Sequence, residues 1–513
     1  MSSFRAISAL ALLSSVTAAA SSVAAAATPV TFTLDASRAV HEVSPAYLSA
    51  NFDWHSNAEE WPAWNQSSAQ VIDLDDADLR ALAREFAPAY LRVGGSEGDC
   101  MIYEVSGGEC AKYAPSPTSG FCYNNSVQSG FPDAFCLTMS RMDAILAFAA
   151  DAGFGLAFGL NSMLNRASPT SRFDSSNVRA LLQRMHDANS SAAFARTLIF
   201  EYGNEVQTKI TSTTYAADLL VVRGLIDSIW ADLAPADRPG LVCNDENPDP
   251  SYWSQLLPLV GKAVRAATWH SYYGYGLDPT LPSKAFNASF LAETPKQAAP
   301  MISVAADFVA GGGELWVGET AMAWHSGRNG TTDAYASGPW YINALGSLAA
   351  THSVFCRQTL LGGYYELVDR TTIQPNPDYF TALLWKRSMG SRVLSVSSSL
   401  PDNVLVYAHC AAAGGGVTLT FVNLDAETTY SVGVAGAPPL VPRSEWVLTP
   451  VGGDQSSRQV ILNGVGGPLG VADGVVSPTP ARVVTDPSEP WLLAPHTYGF
   501  VTLGAGAVWG VCS

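Results

Sequence analysis

The feature that most constrains this chain is a series of eight short apolar runs, each followed by a stretch of helical periodicity. The runs cover residues 47–52, 89–93, 155–160, 197–202, 240–243, 266–269, 315–317 and 355–361. Amphipathic stretches between them include 76–86, 141–152, 178–188, 215–233 and 300–309. Runs this apolar leave no face for water, as expected of parallel strands covered by helices. Eight such units predict an α/β fold, a closed (β/α)8 TIM barrel, over residues 43–392.

Polar residues in these runs collect at or just after their C-terminal ends: Asn51, Asp53, Ser96, Asn161, Asn204, Glu205, Asn244, Asp245, His270, Tyr272 and Glu319. In a barrel of this kind the βα loops at that end build the active site, whereas structural polar residues would scatter evenly. Two positions are the most demanding. Glu319 closes ELWVGET and Glu205 closes LIFEYGNE, so each places a carboxylate at the end of a buried strand. An ionised carboxylate buried without partners costs several kcal/mol, so each needs a reason to be there. Either run alone reads plainly as a cap or a salt-bridged glutamate. As a pair they fit the acid/base and nucleophile of a retaining glycoside hydrolase, which need carboxyls about 5–5.5 Å apart. Glu205 would end strand four and Glu319 would end strand seven, so both would face one mouth. Glu314, at the other end of its strand, reads as a rim residue, and Asp245 and Glu246 as loop or rim residues. His270 reads as a structural hydrogen-bonding group, and Cys243 and Cys356 as buried thiols.

From residue 393 the pattern changes to alternating strands within 404–409, 417–422, 446–448 and 498–503. Such alternation without a helical period predicts a C-terminal antiparallel β-sandwich over 393–513. The strand within 28–42 has no barrel partner and is expected to join it. Residues 1–27 read as a secretory signal peptide, with Arg5, a short Ala/Leu/Val core and Ala-rich cleavage sites. No later run is long and apolar enough to span a bilayer. The apolar tail from Tyr498 mimics a lipid-anchor signal, but Cys512 within it favours a final strand held by a disulfide.

Export agrees with five glycosylation sequons, at Asn65, Asn124, Asn189, Asn287 and Asn329, and with eight cysteines. Cys100, Cys110, Cys122 and Cys136 would staple a Gly/Pro/Ser-rich loop, with three pairings open. No histidine lies among them, so neither metal nor other cofactor is expected. A net charge of −17 with only 28 Lys+Arg argues against nucleic acid and anionic membranes as partners. The expected locale is extracellular, or an acidic vacuole or lysosome-like compartment, and the expected state is a monomer.

At the two glutamates the chain resembles the heparanase-like β-glucuronidases, family 79 of the glycoside hydrolases. The resemblance rests on EYGNEV at 201–206 and LWVGET at 315–320, and extends along most of the mature chain. It includes YLRVGGSEGD at 90–99, TWHSYYGYG at 268–276, RQTLLGGYYELVD at 357–369, NPDYFTALLWKRSMG at 376–390 and VYAHC at 406–410. CLTMSRMD at 136–143, FGLN at 158–161 and HSGRNG at 325–330 are most similar to the plant members. The resemblance implies Glu205 as acid/base, Glu319 as nucleophile and Asn204 on the sugar 2-hydroxyl. It implies that Arg92 and Tyr272 keep Glu319 ionised, that Asp53 and Ser96 line the glucuronate site, and that Gly363 and Tyr365 receive the uronate carboxylate. His270 and Trp324 are also expected to line the substrate, and the resemblance implies that Cys410 pairs with Cys512.

The chain also departs from heparanase. Glu97 stands where that enzyme has a lysine, Leu277 where it has an arginine, and Val206 where it has a proline. Trp324-His325-Ser326-Gly327 replaces a Tyr-Gly-Gly pattern after the nucleophile and would wall off the cleft. The region at 104–137 is shorter than heparanase's excised linker, so an unprocessed single chain is expected. The implied activity is exo-β-glucuronidase action, by double displacement, on plant- or algal-type wall glycans or small glucuronides. The alternatives are an endo-β-glucuronidase acting on an acidic polysaccharide and a non-catalytic carbohydrate-binding protein.

Overall fold

The computed structural model describes residues 27–55, 62–112, 136–164, 166, 168, 170–398, 400–435, 440, 442–504 and 509–512. The signal-peptide reading up to residue 26, Cys122, Asn124 and most of the 104–137 region lie outside the described residues.

Eight parallel strands close into a barrel in chain order. They are Leu48–Asp53, Ala89–Gly94, Phe154–Leu160, Leu198–Tyr202, Gly240–Glu246, Ala266–Ser271, Glu314–Thr320 and Val354–Arg357. Strands five, six and seven run two or three residues beyond the apolar runs that announced them, because the ladder continues under polar side chains. The eighth is shorter than expected: it ends at Arg357, and residues 358–361 have left the sheet. The helices begin at side-chain caps that the sequence carries. Asp76, Thr138, Thr211 and Asp249 each accept a backbone N–H from the first turn. The expected helix at 300–309 is two, Glu293–Val304 and Ala306–Ala310, so Pro300 lies inside a helix and does not open one.

The barrel interior is filled at its lower end by Ala157, Ile199, Val242, Ala266, Trp316, Val354 and Cys356. A far larger apolar cluster lies between the strands and the helices. Alternation along a strand puts every second residue on the inner face. One step beyond the apolar plug, that face turns polar: Arg92 follows Tyr90, Glu201 follows Ile199, and His270 lies four residues past Ala266.

The second domain is a sheet that starts at Met389–Ser398, four residues before the expected boundary. It continues through Val404–Ala411, Val417–Asn423, Tyr498–Leu503 and Arg443–Pro450 with antiparallel pairing. The strand Thr28–Asp35 joins it, antiparallel to Met389–Ser398 and parallel to Tyr430–Ala435, so the sheet is not wholly antiparallel. One core belongs to this sheet alone, around Phe32, Leu419, Phe421, Trp491 and Val501. Val422, Tyr498 and Phe500 instead join the barrel's cluster, so the two domains share apolar packing.

Cys410 is bonded to Cys512, as the resemblance implied, and Cys110 to Cys136; Cys100 is also disulfide-bonded. Cys243 and Cys356 are buried thiols, as expected. Asn65, Asn189, Asn287 and Asn329 are all exposed. Among the described residues no helix is long and apolar enough to cross a membrane.

Candidate active site

Strands six and seven pair in step from Ala266 opposite Glu314 to Trp269 opposite Val317, and then the register shifts so that His270 faces Glu319. Gly318 is the extra residue of a β-bulge. Trp316 points into the barrel, so an unbroken strand would send Glu319 outward; the inserted residue turns it into the mouth beside His270. The carbonyl of Gly318 accepts a hydrogen bond from Asn51 Nδ2 on strand one, at 3.2 Å. Glu205 reaches the same mouth differently. It follows strand four in a turn where Gly203 (φ 78°) and Glu205 (φ 50°) are both left-handed. A left-handed non-glycine residue costs on the order of 1–3 kcal/mol and persists only where its surroundings hold it.

Arg92, 1% exposed, organises the floor. Its Nε donates to Glu201 Oε2, Nη1 to Glu319 Oε2 and Nη2 to Asn204 Oδ1, each at 2.8 Å. The paired glycines beside it make room. A Cβ on Gly94 would fall 2.9 Å from the guanidinium, and one on Gly95 (φ 109°) would fall 2.7 Å from the Asp53 carboxylate. Tyr272 donates its hydroxyl to Glu319 Oε1 at 2.6 Å. Burial, and then the charge of Glu319, push that phenol well above its ordinary value, so it remains a donor. Glu319 therefore receives two strong donors, one cationic. His270, fully buried, joins the two glutamates: its Nδ1 lies 2.7 Å from Glu205 Oε1 and its Nε2 4.0 Å from Glu319 Oε2.

Further carboxyls surround this pair. Asp53 accepts from the His55 N–H and from Gln358 Nε2, both at 2.8 Å. Burial, followed by the charges of Glu97 and Glu319, raises it to about 7. Burial likewise raises Asp99 to about 7, although it accepts from Ser162 Oγ and the Asn204 N–H. Glu97 is shifted upward for the same first cause.

Two cavities open over the glutamates and share Glu205, Glu319, His325 and Tyr365. The smaller, about 230 Å³, is walled by Asp53, Ser96, Glu97, Asn204 and Gln358 among others. The larger, about 450 Å³, adds Asn247, Tyr272 and Trp324. The structure thus brings together Glu205, Glu319, Asp53, Ser96, Asn204, Tyr272, Trp324 and Tyr365, with Arg92 and His270 beneath them. Gly363 stands apart. It lines neither cavity, and its N–H donates to the Ala63 carbonyl at 2.9 Å, so that N–H is not offered to a uronate carboxylate.

Glu246 also differs from its expected place on a loop or rim. It ends strand five, fully buried, past a register shift that sets Trp269 opposite it. Trp269 faces the helix layer, so Glu246 does too, and its charge acts on Cys243 and Tyr252 there. Glu314 is at the opposite rim as expected, bonded to Arg265 and Trp316.

Sequence reasoning passed over Glu201, although alternation from Ile199 would have aimed it inward. Gln358, His55, Trp64 and Asn247 carried no signal, because the loops after the strands fold them in. Among the described residues the group closest to a metal cluster is Glu104 with Cys110 and Cys136, and those two sulfurs are bonded to each other.

Residues 29–346 match the family model described as glycosyl hydrolase family 79, N-terminal domain. Heparanase-like protein 1 of Arabidopsis thaliana is 30% identical, with 80% of this chain and 76% of that protein covered. Baicalin-beta-D-glucuronidase of Scutellaria baicalensis is 30% identical over 88% of this chain and 87% of its own. Heparanase of Mus musculus is 27% identical over 83% and 84%. A solved 4-O-alpha-L-rhamnosyl-beta-D-glucuronidase from Fusarium oxysporum shares the fold, with a TM-score of 0.62 and 16% identity over 93% of this chain and all of that one. The chain belongs to glycoside hydrolase family 79.

Proposed function

We propose that this member of the family is a retaining exo-β-glucuronidase, with Glu319 as nucleophile and Glu205 as acid/base. The observation that carries the reading is the contrast between the two carboxylates across His270. Glu319 is fixed by Arg92 and Tyr272, while Glu205 stands in the open cleft with a side chain 31% exposed. In the first step the Glu319 carboxylate attacks the anomeric carbon while the Glu205 carboxyl gives its proton to the glycosidic oxygen. The aglycone leaves as an alcohol and the sugar remains as a glycosyl ester on Glu319. Glu205, now ionised, takes a proton from water, whose oxygen attacks the same carbon and releases glucuronic acid and free Glu319. Asn204, held by Arg92 and by the Asp99 contact to its N–H, meets the sugar 2-hydroxyl. The other hydroxyls fall to Asp53 and Ser96, and the phenol of Tyr365 serves the uronate carboxylate.

The smaller cavity accommodates one terminal sugar, which favours exo action over endo cleavage of an acidic polysaccharide. Export and glycosylation fit the four exposed sequons, and a monomer completes the reading. Glucuronide turnover tests it. Glu319→Gln should lose on the order of 10⁴-fold or more in release of an aryl β-glucuronide. Glu205→Gln should lose far less on a nitrophenyl than on an alkyl glucuronide, because a good leaving group needs little proton donation. Normal turnover by Glu319→Gln, or activity on β-glucosides alone, would sink the proposal.

A further inference from the structure

The two cavities differ in chemistry, and the larger one has a wall that the reaction itself does not require. Trp324 is 48% exposed, yet it is not loose. The short strand Ala323–Trp324 pairs with Gly274–Tyr275, and the Trp324 carbonyl accepts the Gly276 N–H at 3.0 Å. Its ring stacks on Tyr275, with centroids 4.4 Å apart and planes inclined by 28°. The next residues, His325 and Ser326, are both left-handed with φ 62°. Ser326 is tied by its carbonyl to the Tyr364 N–H and by its hydroxyl to Trp64 Nε1. An exposed indole held rigidly at the rim, backed by a second ring, is a surface prepared for another flat group.

What lies around it narrows the occupant. The described residues of the larger cavity are Glu205, Asn247, Tyr272, Glu319, Trp324, His325 and Tyr365, without a lysine or arginine among them. Tyr272 already spends its hydroxyl on Glu319. A sulfated sugar would meet the two carboxylates of Glu205 and Glu319 there and no lysine or arginine. A neutral sugar would leave hydroxyls short of partners, because Asn247 is the amide present and the carboxylates are engaged in catalysis. The smaller cavity, with Asp53, Ser96, Asn204 and Gln358, has the hydroxyl-binding chemistry that the larger one lacks.

We infer that the larger cavity is a leaving-group subsite built for a planar, uncharged aromatic aglycone, which stacks on Trp324 while its glycosidic oxygen faces Glu205. The inference rests on the glucuronidase reading and adds the class of aglycone to it. Tyr275 acts as a positioning residue that fixes the indole.

The test compares phenyl and 2-naphthyl β-D-glucuronide, whose leaving groups are of similar acidity but differ in stacking area, alongside a glucuronosyl-glucose disaccharide. The expected wild-type order of kcat/KM is naphthyl, then phenyl, then disaccharide, with naphthyl favoured over phenyl by on the order of tenfold through KM. Trp324→Ala should collapse the naphthyl-to-phenyl ratio towards one. Trp324→Phe should keep most of it, which a folding defect would not do. An unchanged ratio in Trp324→Ala, or a disaccharide preferred over both aryl substrates, overturns the inference alone. No hydrolysis of any of the three overturns the glucuronidase reading and the inference with it.

Discussion

Strands five and seven end alike, in a short apolar run closed by a glutamate, and each breaks register with strand six just before that glutamate. The results are opposite. The shift at Gly318 turns Glu319 from the helix layer into the mouth, whereas the shift after Cys243 turns Glu246 from the mouth into the helix layer. Side-chain facing in a strand has a period of two, so one inserted residue reverses every facing beyond it. The difference teaches that the last carboxylate of a barrel strand is assigned by its bulge and not by its sequence.

The sharpest way to break the comparison is to make the same change at both ends. Glu319→Gln should lose on the order of 10⁴-fold or more in kcat on an aryl β-glucuronide. Glu246→Gln should stay within about threefold of wild type while shifting Tm by a few degrees, because its setting is packing and not chemistry. Equal losses in the two variants would mean that Glu246 faces the substrate after all.

A smaller effect is expected at the support of the bulge. Asn51→Leu removes the donor to the Gly318 carbonyl without touching the cleft. If that bond holds Glu319 in its inward setting, kcat should fall by roughly 10²-fold, the scale of about a 1 Å misplacement, with KM little changed. A loss confined to Tm would show the bulge to be held by other contacts.

The smallest effect is in stability against pH. Burial raises Asp53 and Asp99 from 3.8 to about 7, and Glu366 from 4.5 to about 8. The folded protein then binds more protons than the unfolded chain between the two sets of values. The stability these groups contribute is complete below about pH 4 and is lost as pH rises through about 7 to 8. Tm should decline from pH 5 to pH 8, and Asp99→Asn should flatten part of that decline; a Tm rising over this interval would contradict the burial argument.

Much of this was legible in the sequence. The eight apolar runs marked the eight strands, because burial on both faces demands apolar side chains throughout. Glu205 and Glu319 stand out in the sequence because charge at the end of a buried strand needs a partner, whereas Arg92 and Tyr272 are implied by the family resemblance alone. Glu201 was hidden by its place inside an apolar run, although alternation predicts its inward facing. Gln358 and Asn247 had no local signature. The acceptor of the Gly363 N–H, Ala63, lies on a loop 300 residues earlier in the chain and has no local signature either.

By itself, then, the sequence determined the strand count, the joining of the N-terminal strand to the second sheet, and the pair of strand-end carboxylates proposed as catalytic. The strands follow from periodicity within a few turns of chain, and the carboxylates from their place at the ends of apolar runs. Tertiary structure alone decided which strand-end glutamates face the mouth, how one guanidinium divides among Glu201, Glu319 and Asn204, and that Trp324 stands as a fixed shelf beside the cleft. Each of those depends on register and on contacts between segments far apart in sequence, where a one-residue shift, invisible to local pattern, reverses the direction of a side chain.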